Sequence, residues 1–472
     1  MCMEKKKIIR TNTCAMMVLI MLFCAALTWL IPAGDFAKES VDGVTRVMAG
    51  TYREIPRSPQ GFWDMCLALT AGFQDVAKIM FMLVFCGGAV EILKKSGTVK
   101  DIYTRLEGKN KHHVNMRVLT FFIMLVLSIG GAAGGLYSST LALVPFSIIL
   151  ATCLGYDIFT GFLFVYMGVY SGFNVGWGNY YTIGIAQQIA GLPKFSGWEV
   201  RIIFHIINFI ICYYYTIHYM EKIKQEPSYS LNYHEGMELE DLMGPHADDL
   251  DQGLASGTKA HVLTIVGLMV AVLVVLTGAG GFKWKYDQIS AVFLVFGIYA
   301  GLVNGMGVEG TTEVFISGCA QMLKPAFIVG MTESIYVIFT NGNILPTIVH
   351  WFMLLMLQVG PVADATIMYF VNLIINLFIP SGPLQAEIVM PVLMPLTKSL
   401  GITSQVAVQA FQFGDGFSNC ISPTAATLMG SLAMAKVEWA RYVRWMVPKL
   451  LWQTTLAIVS LTILQAIGWT GM

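Results

Sequence analysis

Charge is what this sequence has least of. Of 472 residues, 29 are Lys or Arg and 29 are Asp or Glu, 12% in all, against about 25% in an ordinary soluble domain. The two signs cancel, so no basic surface recommends nucleic acid as a partner. The nine cysteines form no CxxC pair and have no metal-ligand spacing; most lie in apolar runs and read as small buried hydrophobes. The histidines do not cluster, and HExxH is absent, which removes an intramembrane zinc protease. A GxSxG elbow and a phosphate-binding loop are missing too, so neither a serine hydrolase nor a nucleotide-driven machine is indicated. No cofactor and no enzyme chemistry are expected.

Apolar residues are what remain, at 56% with a mean hydropathy of +0.65. That composition is an integral membrane protein's. Runs fall at about 13–32, 78–93, 158–192 with an interruption, 197–219, 260–281, 287–305, 324–340, 403–430 with an interruption, and 447–468. A bilayer needs about 20 residues per helix. The first run follows Lys5, Lys6, Lys7 and Arg10 and ends at Pro32-Ala33-Gly34-Asp35 without a cleavage pattern, so it reads as a retained span. Basic residues mark the cytoplasmic side, which places the N-terminus and the cluster from Lys94 to Arg117 inside. Residues 221–259 are acidic and lack apolar periodicity; they read as a cytoplasmic linker between a first half, 1–220, and a second half, 260–472.

The halves resemble each other. Ser96-Gly97 recurs as Asn341-Gly342, and Pro145 with Gly155 recurs as Pro391 with Gly401, at intervals of about 245 residues. Between Lys94 and Arg117 there are seven Lys or Arg, but from Asn341 to Ala365 there are none. The two copies are therefore expected to face opposite sides, as inverted repeats do in secondary transporters. Stretches at about 118–154 and 366–400 are too long for one span and too broken for two, and read as re-entrant helical hairpins. The runs at about 158–192 and 403–430 read as broken transmembrane helices, and the fold as all-α and polytopic.

Backbone that leaves the helix inside a membrane survives only where protein or a water-filled cavity satisfies it. Four places qualify. They are the hairpin tips GGAAGGLYSST, with Gly134, Gly135, Ser138 and Ser139, and IPSGPLQAE, with Ser381, Gly382 and Glu387, and the interruptions at Asn174–Thr182 and Ser418–Thr424. Free carbonyls with Asn and Ser oxygens suit Na⁺, with Asn179, Ser418 and Asn419 as candidate ligands, while helix N-termini suit a substrate carboxylate. An acid inside a span is costly, so Asp415 and Glu387 are candidates for an ion, a proton or a substrate ammonium. Glu91 lies one turn from Lys94 and Lys95 and is expected in an exposed pair; Glu333 is open to either reading.

Four stretches carry a family resemblance: LTWLIPAGDF at 27–36, TIGIAQQIAGLP at 182–193, IPSGPLQAEIVMPVLMPL at 379–396 and AFQFGDGFSNCISPT at 410–424. Over nearly its whole length the chain resembles the YfcC family, related to the anaerobic four-carbon dicarboxylate carriers within the ion transporter superfamily. The resemblance implies an elevator-type carrier with a dimerising scaffold and a moving transport domain, in the inner membrane, exchanging amino acids such as arginine and ornithine. It assigns substrate and ion to Asn179, Thr182, Ser381, Gly382, Ser418, Asn419, Pro423 and Thr424. The chain departs from the family where Ser138 and Ser139 replace an acidic pair and where Gly178 to Thr182 replace Thr-Asn-Pro-Phe-Thr. Glu333 replaces a frequent Arg, and Glu387 a small residue. A dicarboxylate is the alternative substrate, and H⁺ the alternative to Na⁺.

Overall fold

The computed structural model describes residues 13–41, 44–48, 50–109, 115–137, 139–234, 237, 242–244, 258–282, 284–356 and 361–471. Helices dominate it. In chain order they are α1 (Thr13–Leu30), α2 (Phe62–Asp75), α3 (Ala77–Lys95), α4 (Thr98–Lys109), α5 (Met116–Gly134), α6 (Thr140–Cys153), α7 (Ile158–Phe173), a π-helical turn (Tyr180–Gly184) running into α8 (Ile185–Ile189), and α9 (Trp198–Gln225). Then follow α10 (Thr258–Gly281), α11 (Tyr286–Val303), α12 (Gly307–Gln321), α13 (Leu323–Asn341), α14 (Leu345–Met356), α15 (Pro361–Asn376), α16 (Gly382–Leu400), α17 (Ser404–Asn419), α18 (Ala426–Met434) and α19 (Trp439–Ala466). Among the described residues seven helices are long and apolar enough to cross a bilayer, and α2 with α3, bent by 61°, makes an eighth candidate. This is a multi-pass membrane protein.

Three features differ from the sequence reading. Residues 34–54 hold two small antiparallel sheets, β1 (Gly34–Asp35) with β4 (Arg53–Glu54) and β2 (Lys38–Val41) with β3 (Val44–Val47), a short excursion in an otherwise helical fold. Strands this short lie below what an alternation signal can reveal. α2 and α12 were not anticipated because Asp64, Asp75, Glu309 and Glu313 interrupt their apolar character. Glu91 is buried rather than exposed, with α12 packed so closely that a Cβ on Gly318 would lie 2.5 Å from its own.

Element bounds repeat along the chain. α3 and α13 each have 19 residues and start at Ala77 and Leu323; α7 and α17 each have 16 and start at Ile158 and Ser404. Both intervals are 246. The breaks that follow, at 174–179 and 420–425, keep the same interval. α5 and α6 pack on α7, and α15 and α16 on α17; the short helix after each break crosses over, α8 onto α16 and α18 onto α6. Every residue of α17 from Gln405 to Asn419 is buried, as is all of α7 after Ile158. Such helices need polar partners of their own.

Caps fix where these helices start. Asp157 accepts from Thr160 N at 2.9 Å before α7, and Thr403 accepts from Val406 N at 3.3 Å before α17. The expected linker is docked where it begins. Ser230 and the Tyr219 hydroxyl both donate to Asp157 Oδ2 at 2.5 Å, Asn232 donates to Ala435 O at 2.8 Å, and Arg441 donates to Tyr233 O and Ser230 O. Most of its remainder lies outside the described residues.

Candidate functional site

The first tip lies against the first break. α5 ends at Gly134, and Gly135 takes φ +63°, the left-handed region where glycine is unstrained. A Cβ there would meet the Tyr181 ring at 2.7 Å and Asn179 Oδ1 at 3.0 Å. Across the same contact Gly178 N donates to Ala132 O at 3.0 Å. Asn179 caps the π-helical turn by accepting from Tyr181 N at 2.9 Å, which leaves its Nδ2 buried without a partner. Thr182 Oγ1 is buried and unpartnered as well.

The second tip closes over both breaks. α16 begins at Gly382, and a Cβ there would lie 2.5 Å from Thr182 Cγ2 and 3.0 Å from Asp415 Oδ2. Only hydrogen fits. Residues far apart in sequence thus converge on one contact: Thr182 after the first break, Gly382 at the second tip and Asp415 ahead of the second break. The tips are tied directly, with the Tyr137 hydroxyl donating to Pro380 O at 3.2 Å.

Asn376 organises the second break. Its Nδ2 donates to Ser418 Oγ at 2.7 Å and Asn419 Oδ1 at 2.9 Å, with Asp415 O at 3.2 Å. Asn419 Nδ2 reaches Asp415 Oδ1 at 3.3 Å, and Ser418 donates on to Gly414 O at 2.6 Å. Asp415 is fully buried, and its Oδ2 has no partner. Beyond the break, Thr424 donates to Leu377 O at 2.9 Å and so fastens it to the second tip. The two breaks also touch, with Asn174 Nδ2 donating to Cys420 Sγ at 3.3 Å. Gly416 lets them approach, since its Cβ would fall 2.5 Å from Asn174 Cα.

A cavity of about 340 Å³ opens at the tips, lined by Gly135, Tyr137, Ser139, Tyr181, Thr182, Ser381, Gly382 and Pro383, and closed by Trp284, Lys285 and Tyr286 ahead of and within α11. Small-molecule sites start at about 300 Å³. The N-termini of α6 and α16 both border it, and each carries partial positive charge and free N–H groups. Lys285 adds a full positive charge, and among the described residues no acidic side chain lines the wall. Asp415 lies directly behind Gly382.

The residues expected from sequence therefore divide. Gly135, Ser139, Thr182, Ser381 and Gly382 line the cavity, with Gly134 one residue behind. Asp415, Ser418 and Asn419 form the buried network, Asn179 braces the first tip, and Asn174 and Thr424 hold the breaks. Pro423 is half-buried within the second break. Glu387 stands apart, in a separate cavity of about 210 Å³ shared with Asp35 and Lys38. Ser138 lies outside the described residues. Sequence reasoning missed Asn376, Tyr137, Tyr181 and Lys285. Asn372 and Asn376, one turn apart in an apolar run, were a readable signal; Lys285 was not, because nothing local marks it.

Oxygen atoms left over near the tips, namely Asp415 Oδ2, Thr182 Oγ1 and Asn376 Oδ1, are of the hard kind an alkali cation takes. Among the described residues no three of His, Cys, Asp or Glu gather as a metal site.

Comparison with known proteins places the arrangement. A model of the C4-dicarboxylate anaerobic carriers, DcuC, matches residues 11–466. The chain belongs to that family. It is 29% identical over 476 residues to the Escherichia coli protein named "Putative basic amino acid antiporter YfcC", covering 92% of each chain, in keeping with the resemblance drawn from its motifs. An uncharacterised protein of Haemophilus influenzae is 22% identical over 477 residues, 91% of this chain and 92% of the relative. Among solved structures, the YdaH transporter of Alcanivorax borkumensis gives a TM-score of 0.41 at 15% identity, over 98% of this chain and all of that one. MtrF of Neisseria gonorrhoeae, titled an antimetabolite efflux pump, gives 0.40 at 15% identity, over 98% and 96%. The protein is a transporter and not an enzyme.

Proposed function

We propose that this transporter is a secondary active carrier of the inner membrane, with its N-terminus in the cytoplasm, that moves a small carboxylate-bearing metabolite by exchange or by coupling to Na⁺ or H⁺. The observation that carries the reading is the meeting of Gly382, Thr182 and Asp415 beside a cavity of ligand size. The 246-residue interval between matching elements supports two inverted repeats, each with one re-entrant hairpin and one broken helix. Hairpins and broken helices would form the moving domain of an elevator, and the remaining spans a dimeric scaffold.

The carboxylate would sit between the N-termini of α6 and α16, where backbone N–H groups replace its water. For an amino acid, the first reading, the ammonium has one carboxylate within reach, Asp415 behind Gly382. Arginine or ornithine brings a second positive charge, which faces Lys285 and no further acid. The second reading, a dicarboxylate, is favoured by that same Lys285, which suits a second carboxylate. Na⁺ or a proton would then use the oxygens of Asp415, Ser418 and Asn419, with Asn179 across the first break.

A thermal-shift screen of the purified protein against arginine, ornithine, aspartate and succinate, with and without Na⁺, separates these readings. Stabilisation by amino acids that Asp415→Asn removes supports the first; stabilisation by succinate that Lys285→Gln removes supports the second. No shift with any carboxylate sinks both. Asn179→Ala and Asn419→Ala are expected to abolish uptake while membrane insertion persists.

A further inference from the structure

Trp177 stands between Gly176 and Gly178 in the first break, and its indole is tied to a helix outside the tips. Trp177 Nε1 donates to His205 Nδ1 on α9 at 3.0 Å. An indole nitrogen can only donate, so Nδ1 is bare and the single proton of the ring sits on Nε2. His205 is buried, and its Nε2 faces Ser128 Oγ on α5 at 2.6 Å. Ser128 in turn lies 2.7 Å from Ser171 Oγ on α7, whose own hydrogen goes to Gly168 O at 2.6 Å. The carbonyl only accepts, which fixes every direction: Trp177 donates to His205, His205 to Ser128, Ser128 to Ser171 and Ser171 to Gly168.

The chain of bonds runs along a tight seam. A Cβ on Gly172 would collide with Ser128 O, and one on Gly131 with Val169 O, so α5 and α7 touch backbone to backbone beside the two serines. Asn208, one turn beyond His205, donates to Ser171 O at 2.7 Å, and α9 thereby holds the same serine a second time. Ser128 and Ala132 lie one turn apart on α5. Ser128 reaches the break through His205 and Trp177, and Ala132 O accepts directly from Gly178 N. The next residue is Asn179, which braces the first tip.

The surroundings offer a second proton on this ring no counter-charge. α7 and the break carry no charged residue, and α5 has only Arg117, at its far end. On α9 itself, Arg201 lies one turn before His205 and is bound to Gln405, Gln409 and Ser196; Glu199 is six residues before His205, and Glu221, Lys222 and Lys224 lie at the C-terminal end. α19, packed on α9, brings Arg441, Arg444 and Lys449, all basic. Asp415 on α17 presents its free oxygen to Gly382 instead. The remaining titratable groups on these helices are thiols, phenols and His218. We infer that His205, neutral with its proton on Nε2, is a positioning residue for the first break: it sets Trp177, and with it the segment carrying Asn179 and Thr182, against the first hairpin arm. A second proton on Nδ1 would break the bond to Trp177, so His205 works by not titrating and is no carrier of a coupled proton. Its effect on exchange rests on the transport reading, which substrate counterflow of the unaltered protein tests separately.

Nitrogen NMR of the full-length protein labelled at histidine, with His205→Gln identifying the resonance, should show Nε2 protonated and Nδ1 bare from about pH 5 to 8, where an ordinary histidine titrates. A proton on Nδ1 anywhere in that range overturns the inference. In exchange assays His205→Leu and Trp177→Phe should each slow the protein by roughly tenfold, and the double variant should be no slower than either, because both remove one contact. His205→Gln keeps an acceptor and a donor but cannot titrate, and should restore most of the rate lost in His205→Leu, with the pH profile of the unaltered protein. Additive losses in the double variant, or a Gln variant as slow as the Leu variant, overturn the positioning role. Should His205→Leu fail to fold, Trp177→Phe takes its place against His205→Gln. If the unaltered protein exchanges nothing, the transport reading fails, and the tautomer together with the same cycle read in unfolding temperature still decides this inference.

Discussion

Gly382→Ala tests the convergence of tip and breaks at a single atom. The added Cβ would lie 2.5 Å from Thr182 Cγ2 and 3.0 Å from Asp415 Oδ2, whereas carbon atoms in contact prefer about 3.5 to 4.0 Å. The second tip must retreat from the first break by about 1 Å to recover that spacing. Overpacking of this kind costs about 1 to 3 kcal/mol. At about 1.4 kcal/mol per factor of ten, the closed tip becomes roughly 5 to 150 times less populated. Exchange by reconstituted protein should slow within that range, while the unfolding temperature falls only modestly, because the rest of the hairpin is untouched. Thr182→Ser supplies the control: it deletes Cγ2 and keeps the hydroxyl. In the double variant Gly382→Ala/Thr182→Ser most of the lost rate should return, a coupling that only residues in contact display. Full activity in Gly382→Ala, or no rescue in the double variant, would refute the reasoning.

Other perturbations follow from the same contacts. Asn376→Ala removes the donor shared by Ser418 and Asn419 and strands buried acceptors, at about 1 to 3 kcal/mol; a lowered unfolding temperature with loss of exchange is the expected result. Tyr137→Phe deletes the bond between the tips, worth about 0.5 to 1.5 kcal/mol, and should alter exchange kinetics while leaving the unfolding temperature nearly unchanged. Asp157→Asn weakens the hydroxyl contacts that hold Tyr219 and Ser230, so limited proteolysis should cut after residue 225 faster than in the unaltered protein.

Much of the fold was legible because membrane burial writes itself into composition. Spans such as α1, α9 and α10 need only apolar length, and the breaks announce themselves as Gly, Asn, Ser and Pro in runs too short to cross unaided. The site was legible only in part. Ser381, Gly382, Thr182 and Asp415 stand out as polar or small residues at interruptions. Their convergence depends on contacts 200 or more residues apart, between Thr182 and Gly382 and between Tyr137 and Pro380, which no local pattern encodes. Lys285 was silent for the same reason. Glu387 shows the converse: its position beside the tip sequence suggested the site, yet helix geometry turns it toward the strands of residues 34–54. The start of the linker looked merely polar, because Ser230 and Asn232 are buried by partners near Asp157 and Ala435 rather than by any periodicity of their own.

Substrate counterflow in proteoliposomes bears most directly on the central claim. Vesicles loaded with unlabelled arginine, aspartate or succinate and diluted into a trace of the labelled solute should accumulate label above equilibrium for at least one of them, and Asn419→Ala and Asn179→Ala should abolish that overshoot. Label that equilibrates no faster than in protein-free vesicles, or an overshoot undiminished in both variants, would contradict a carrier whose site lies between the tips and the breaks.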